Sequence, residues 1–478
     1  MDDGGRVPES GLSAGAGVPY VVAGELAGGA GLLVIALFAY LKVSLPRLLR
    51  TAVWLVGGRE HLERKLVAAG AASGLSLSPR LTGLVELASA QGRPIYLASR
   101  RCSPLLQAVA KHHAAITGVV VIPHGVASRR GSACLLDRFP QGCDAVASRR
   151  GAMAVLPHWP YGALTEGLAP EPAELASDRE ASRVWVLREL ARSLRLHQSV
   201  KNMLVFVPLL LSGRFTMPSE VGETVLAFLA LTCVASGTYI LNDIWDVADD
   251  RAHWSKKERG IASGRVSAAT ALGLALMLIP AGLALTAAIS WATCVVLVLY
   301  LALTLAYSLR VKAVPFLDGF TLATLFTIRL GLGVVAANAP PSPWLFVFSM
   351  FLFSSLSYAK RYTEISRAIE RKAAGLSSRG YRAADAPMVL AVGLAAGVGA
   401  VLIMVLYIVE EAFRSSFYGT TAALWGFPPL VFLFIIRIWL VSVRGEMMDD
   451  PVAFAIRDKA SIGLLGLLLV CFAAAWLG

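Results

Sequence analysis

The chain is short of cysteine, and the six it has, Cys102, Cys134, Cys143, Cys233, Cys294 and Cys471, are scattered. No CxxC pair or Cys/His ligand spacing occurs, so neither a zinc centre nor a disulfide framework is indicated. Charge is scarce as well: 16% of residues are charged against 56% hydrophobic. With a mean hydropathy of +0.64, this excludes a purely soluble protein and reads as a polytopic membrane protein with room for a soluble domain. The opening MDDGGRVPESGLSAGAG lacks the basic n-region of a secretion signal. The net charge of +12 is not a nucleic-acid signature, because the bases sit in loops between apolar runs. There they set orientation and face anionic lipid or phosphate.

What is present falls into four stretches: a Gly/Ser/Pro-rich start expected to be disordered (1–18), a soluble-looking region with a membrane-surface segment (19–182), an amphipathic linker helix (183–199) and a membrane domain (200–478). The run 31–56 is broken by Lys42, Pro46, Arg47 and Arg50 and suits the membrane surface better than a span. RPIYLAS and GVVVIPHG read as short buried strands. SPLLQAVAKHHAAI between them reads as a helix, capped by Ser103 ahead of Pro104. Strand, helix, strand predicts a small α/β domain with a parallel sheet.

Apolar runs recur from residue 200 onward, at about 200–216, 222–242, 267–287, 290–309, 317–337, 343–359, 388–410, 422–442 and 460–477. The expectation is an all-α bundle of about nine transmembrane helices behind the α/β domain. Basic residues crowd alternate loops: Arg251, Lys256, Lys257, Arg259 and Arg265 follow the second run, and Lys360, Arg361, Arg367, Arg371 and Lys372 follow the sixth. The positive-inside rule puts those loops and the N-terminal domain in the cytoplasm, and an odd helix count puts the C-terminus outside.

The stretch NDIWDVADDRAHWSKKERGIASG, 242–264, follows the second apolar run. Asn242, Asp246 and Asp250 are four apart and share one helical face, with Asp243 beside them. Oxygen ligands at the water end of a membrane helix suit Mg2+. Arg251, His253, Lys256, Lys257 and Arg259 come next, and acids for a metal beside bases for phosphate describe a site for a metal-bound diphosphate. The competing reading is a solvated loop whose charges set topology.

Further candidates lie at other helix ends. Lys201 and Asn202 begin the first run, Tyr307 and Lys312 lie in YSLRVK, and Lys360, Arg361 and Glu364 lie in YAKRYTEI. Lys360 and Glu364 are spaced to pair, and snorkelling at the interface is the alternative for Lys201 and Lys312. Arg329 falls inside the fifth run, where it marks a functional site or forms a structural pair with a carboxylate such as Asp318. Asp449, Asp450 and Asp458 form another acidic patch: a second metal site, a helix cap at Asp450 ahead of Pro451, or a partner for basic loops, the cap being favoured. Tyr381 and Asp385 read as loop-ordering residues.

Two resemblances follow. NDIWDVADD matches the NDxxDxxxD pattern of the UbiA prenyltransferase superfamily at Asn242, Asp243, Asp246 and Asp250. From about residue 192 onward the chain most resembles that superfamily's decaprenyl-phosphate phosphoribosyltransferase branch, through LRLHQSVKNMLVFVPLL, DRAHWSKKERGIASG, YSLRVK, AKRYTEI, RGYRAAD and RGEMMDDPVAFAIRD. Gly260 stands where that branch usually has proline. The resemblance implies a Mg2+-dependent enzyme of the inner membrane, moving phosphoribose from phosphoribosyl diphosphate to a polyprenyl phosphate. In it Asn242, Asp243, Asp246 and Asp250 hold metal, Lys256 and Arg259 assist the leaving diphosphate, and the other helix-end residues bind substrate. The superfamily's aromatic prenyltransferases carry a second acidic motif, DxxxD, where this chain has KRYTE. The alternatives are isoprenoid transfer to an aromatic or other acceptor, and a non-enzymatic scaffold or transporter.

Residues 19–168 resemble haloacid-dehalogenase-like (HAD) phosphatases with the chemistry removed. Ala23 and Glu25 stand at the nucleophile and acid/base positions, Ser99 keeps a hydroxyl, Cys134 falls near the lysine position, and Ala147 and Gly151 replace metal acids. That resemblance implies a catalytically dead domain, free to dock a partner enzyme.

Overall fold

A computed structural model of the protein describes residues 20–23, 34, 37, 58–69, 85–86, 89–90, 92–99, 103–122, 134–135, 137–139, 144–149, 152–155, 192, 194–252, 256–263, 266–370, 375–376, 379–415, 417–447, 451–455 and 457–478. The expectations for 1–18, for nearly all of 31–56, for most of the 183–199 linker, and for Glu25, Gly151, His253, Asp449 and Asp450 lie outside these residues. The chain divides into two compact units, Met1–Arg195 with Tyr239–Met277, and Leu196–Thr238 with Leu278–Gly478.

The first unit carries a five-stranded sheet: β1 (Tyr20–Ala23), β2 (Ile95–Ser99), β3 (Gly118–Val121), β4 (Asp144–Arg149) and β5 (Ala152–Val155), in the order β3-β2-β1-β4-β5. The first four strands are parallel and β5 is antiparallel to β4. Parallel neighbours need a crossover, and α2 (Pro104–His112) supplies the one from β2 to β3. Its start is set by chemistry read in the sequence: the Ser103 hydroxyl accepts the Leu106 N–H, and Pro104 fills the first turn. α1 (Gly58–Ala68) packs on α2, with Leu62, Leu66, Leu105, Leu106 and Val109 buried. Ala23 and Ala147 are register partners across β1 and β4.

The rest of the described chain is helical apart from one short antiparallel pair, Gly375–Leu376 with Tyr381–Arg382. Two short helices, α3 (Phe206–Leu211) and α5 (Val247–Ala252), flank α4 (Pro218–Trp245). There follow α6 (Ala268–Ile289), α7 (Trp291–Leu309), α8 (Leu317–Ala336), α9 (Pro343–Glu370), α10 (Ala386–Glu410), α11 (Phe427–Val443), α12 (Pro451–Ala455) and α13 (Lys459–Leu477). Among the described residues seven helices are long and apolar enough to cross a membrane, built on α4, α6, α7, α8, α10, α11 and α13. The protein is a multi-span membrane protein. Its outward apolar side chains agree: Trp291 is 80% exposed, Leu402 61% and Val470 63%, surfaces that suit acyl chains rather than water.

Two of the nine expected spans fall outside the seven. The stretch expected at 200–216 is a 3-10 turn, Leu196–Val205, leading into α3, and its apolar helical part, Gln198–Leu211, is short. The stretch expected at 343–359 opens the 28-residue α9. Ser349, Ser354, Ser355 and Ser357 make it less apolar than its neighbours, and all four are buried against protein. Ser355 shows why: its hydroxyl accepts from Trp439 Nε1 at 2.9 Å, a polar pair inside the helix core. That core joins α8 to α11, with Phe326 stacked on Phe353 at 4.4 Å and 10°. Gly393 lets α10 approach, since a Cβ there would strike Trp439 and Tyr358.

Candidate active site

The acidic motif closes α4 and continues into α5. Asp246 lies in a turn between them, yet the helical ladder persists: Asp246 N donates to Asn242 O at 2.9 Å and Asp250 N to Asp246 O at 2.8 Å. Asn242, Asp246 and Asp250 therefore follow one another along a helical face, as their spacing predicts. Asn242 lies 24 residues past Pro218, about 36 Å along the axis. That exceeds the roughly 30 Å hydrocarbon core, so the motif stands at the end of the span.

Asp243 and Asp250, two turns apart, are brought onto one base. Arg259 Nη1 donates to Asp243 Oδ1 at 3.2 Å and to Asp250 Oδ2 at 2.7 Å. Arg195 Nη2 donates to the same Asp243 oxygen at 2.5 Å, and its guanidinium lies 5.5 Å from the Tyr239 ring centre. Both acids are buried. Burial pushes the Asp250 carboxyl above its ordinary value, against the pull of Arg259, while Asp243 pushes the same way as burial. The Arg259 turn is built for its position: Ser263 Oγ donates to Arg259 O at 2.8 Å, Val266 N to Gly260 O at 2.8 Å, and Arg251 Nε to Ala262 O at 2.9 Å. Lys256 and Lys257 are exposed beside it.

The expected metal set was Asn242, Asp243, Asp246 and Asp250. Among the described residues no three His, Cys, Asp or Glu groups come together to hold an ion. What the fold provides is two carboxylates converging on one cationic nitrogen. That arrangement fits Mg2+, which takes one or two protein carboxylates and completes its octahedron with water and phosphate oxygens. Asn242 and Asp246 lie on the adjoining turns.

A second group of charges lies wholly in the second unit. Asp318, fully buried at the start of α8, has Oδ2 2.6 Å from Arg361 Nε, not in line for a hydrogen bond. Its Oδ1 accepts from the Tyr381 hydroxyl at 2.7 Å. That hydroxyl also accepts from Phe316 N at 2.8 Å, and Tyr358 donates to Phe316 O at 3.0 Å. Phe316 needs such fixing because its φ is +64°. Glu364 pairs with Arg361 and, at 3.6 Å, with Arg379 Nε, while Arg379 Nη1 donates to Tyr307 at 3.2 Å. Lys312 and Lys360 are half-buried at the same helix ends.

Arg329 does not pair with Asp318. Its Nε donates to Asn202 Oδ1 at 3.1 Å, Nη1 to Leu325 O at 2.7 Å and Nη2 to the Tyr300 hydroxyl at 3.0 Å. Asp318 is taken by Arg361, a helix away in sequence. Tyr381 orders its loop as expected, and Asp385 accepts from Arg382 N at 2.8 Å. Asp458 caps α13 through Ser461 N and pairs with Arg437 through both oxygens, at 2.9 and 3.2 Å. Nothing in the sequence pattern marks the roles of Arg195, Arg379 and Tyr300, and Asp318, which the sequence offers only as an alternative partner for Arg329, meets Arg361 instead.

The UbiA prenyltransferase family model matches residues 204–454. The chain belongs to the UbiA prenyltransferase family. The family match takes in the acidic motif and every span up to α11. Over 450 residues the chain is 32% identical to the uncharacterized protein y4nM of Sinorhizobium fredii, covering 90% of this chain and 85% of that one. It is 32% identical over 284 residues to the nodulation protein NoeC of Azorhizobium caulinodans, covering 58% of this chain and 89% of NoeC. It is 29% identical over 276 residues to the decaprenyl-phosphate phosphoribosyltransferase of Mycobacterium tuberculosis, covering 56% of this chain and 88% of that enzyme. The y4nM match is long enough to take in both the α/β part and the UbiA part.

Proposed function

We propose that this UbiA-family protein moves a phosphoribosyl group from phosphoribosyl diphosphate to a polyprenyl phosphate, releasing pyrophosphate. The observation that carries the reading is Arg259 held on Asp243 and Asp250: an acid pair for a divalent cation and a base for diphosphate in direct contact. Similarity to decaprenyl-phosphate phosphoribosyltransferases supports the substrates. Glu364, the acid of KRYTE, is neutralised by Arg361 and Arg379. A neutralised acid among bases suits phosphate recognition better than a second metal.

In this mechanism Asp243 and Asp250, with Asn242 and Asp246, would hold Mg2+ on the donor diphosphate. When bound, the ion supplies positive charge to the departing pyrophosphate. Lys256 and Arg259 neutralise its remaining oxygens. The bond from ribose C1 to the diphosphate oxygen breaks, and its electron pair leaves with pyrophosphate. A lipid phosphate oxygen forms the new bond to C1. That oxygen is already ionised at neutral pH, so no strong general base is required. Lys201, Asn202, Tyr307, Lys312, Arg329, Lys360, Arg361 and Glu364 are assigned to substrate phosphates or to orienting the groups that bind them.

The same proposal puts the active site and the N-terminal domain on the cytoplasmic side of the inner membrane and the C-terminus outside, from the loop charges. The α/β domain is assigned as a HAD-like domain without activity. The register pairing of Ala23 with Ala147 supports this, since the two positions that should carry carboxylates are neighbours and both are alanine. Its role would be structural, or docking of a partner enzyme.

The test is purified protein with Mg2+, phosphoribosyl diphosphate and a polyprenyl phosphate, read by mass spectrometry for the phosphoribosylated lipid. A parallel assay supplies a prenyl diphosphate and an aromatic acid. Prenylated acid with no phosphoribosylated lipid would replace this reading with isoprenoid transfer.

A further inference from the structure

Arg329 sits twelve residues into α8, a membrane span, and is 5% exposed. Three of its N–H groups are spent on neutral oxygens: Asn202 Oδ1, Leu325 O and the Tyr300 hydroxyl. Its guanidinium carbon lies 5.0 Å from the ring centres of both Tyr300 and Phe326. Among the described residues no carboxylate lies within ion-pair distance of it. This contrasts with Arg361, equally buried, which meets both Asp318 and Glu364.

Hydrogen bonds to neutral groups orient a guanidinium but leave its full charge in place. A buried charge is expected to be paired or functional, and inside a membrane helix it marks a binding path by default. A guanidinium has five N–H donors, so two of the Arg329 set, one on each Nη, have no hydrogen-bond acceptor among the described residues. The side chain is also held from three directions. Asn202 Nδ2 donates to Thr232 at 3.1 Å, which fixes the amide with its oxygen towards Arg329. Lys201, next to Asn202, brings a second cation to the same Phe326 ring, 5.9 Å from its centre.

The geometry points to Arg329 as the seat of a phosphate monoester, with Asn202, Thr232 and Tyr300 as positioning residues. A phosphate monoester supplies the missing negative charge and enough oxygens to accept both remaining donors. Two sources share this chemistry under the proposed function, the lipid phosphate and the 5-phosphate of the ribosyl donor. The seat thus deepens that reading, but its test does not depend on turnover.

The experiment is equilibrium binding to the full chain in detergent, using farnesyl monophosphate and ribose 5-phosphate as probes and farnesol as the uncharged control. In R329Q, binding of one phosphate probe is expected to weaken about tenfold or more, as for the loss of charge-assisted hydrogen bonds. Farnesol binding is expected not to change. Weakening for farnesyl monophosphate assigns the seat to the lipid, and weakening for ribose 5-phosphate assigns it to the donor. If R329Q does not fold, R329K carries the test. It keeps the charge, yet one ammonium has too few donors to serve Asn202, Leu325, Tyr300 and an anion together, so the same probe is expected to bind more weakly. Wild-type protein that binds neither phosphate probe, or a folded variant that binds both as wild type does, overturns the proposal. An intact phosphate seat in a protein without phosphoribosyltransferase activity would sink only the proposed reaction.

Discussion

Arg259 Nη1 lies 2.7 Å from Asp250 Oδ2, so the base that follows the acidic motif is folded back onto the motif's last acid. Nine residues separate the two, and the turn between Lys256 and Ser263 closes the distance. A guanidinium held this way bridges two buried acids, and it competes with any cation those acids bind.

The first expectation concerns that pair. D250N and D243N each remove a charged ligand and are expected to lower turnover at least a hundredfold, about 2.7 kcal/mol or more of transition-state stabilisation. D249N, at an exposed neighbouring position, is the control and is expected to stay within a few-fold of wild type. Turnover of the three variants in one Mg2+-containing assay decides; equal activity in all would remove the acids from the reaction.

Asp318 and Arg361 should behave as a buried pair. D318N leaves the Arg361 charge with only Glu364 to offset it, and a loss of about 3–5 kcal/mol of stability is expected. Replacing both at once, as D318N with R361M, is expected to be milder than the sum of the single changes, because no uncompensated charge remains. Thermal denaturation in detergent, run as a double-mutant cycle, reads this directly.

Y381F tests the hydroxyl that joins Asp318 to Phe316. It strips a donor from a buried carboxylate and an acceptor from a buried N–H at a backbone position with positive φ. A cost of about 1–3 kcal/mol is expected, with increased proteolysis near 310–318 as the local readout. An unchanged melting temperature would show that water replaces the hydroxyl.

Asp458 gives a pH dependence. The paired hydrogen bonds from Arg437 pull its carboxyl down to about 2. A depressed carboxylate contributes stability in full above its unfolded value, about 4, and loses it as pH falls towards 2. The difference in melting temperature between wild type and D458N should be constant from pH 7 to about 5 and shrink below 4. A difference that grows on acidification would mean the pairing is wrong.

Much of the fold was legible because membrane spans and short buried strands announce themselves locally. An apolar run of about 20 residues has few other uses, and Ser103-Pro104 marks a helix start whatever lies around it. α9 was harder, because its buried serines are polar letters whose cost is removed only by partners such as Trp439, 84 residues away.

By itself, the sequence determined the α/β-then-membrane order, the face shared by Asn242, Asp246 and Asp250, and the membership that the NDxxDxxxD spacing suggests. The first two rest on periodicity and on neighbours a few residues apart, the third on the motif's resemblance to that of a known family. Which charge meets which was decided only by tertiary structure. Arg329 reaches Asn202 across 127 residues, and Asp318 takes Arg361 and Tyr381 rather than the arginine on its own helix. Coulomb attraction and burial act through space, and helix packing sets those distances; nothing in the spacing along the chain encodes them.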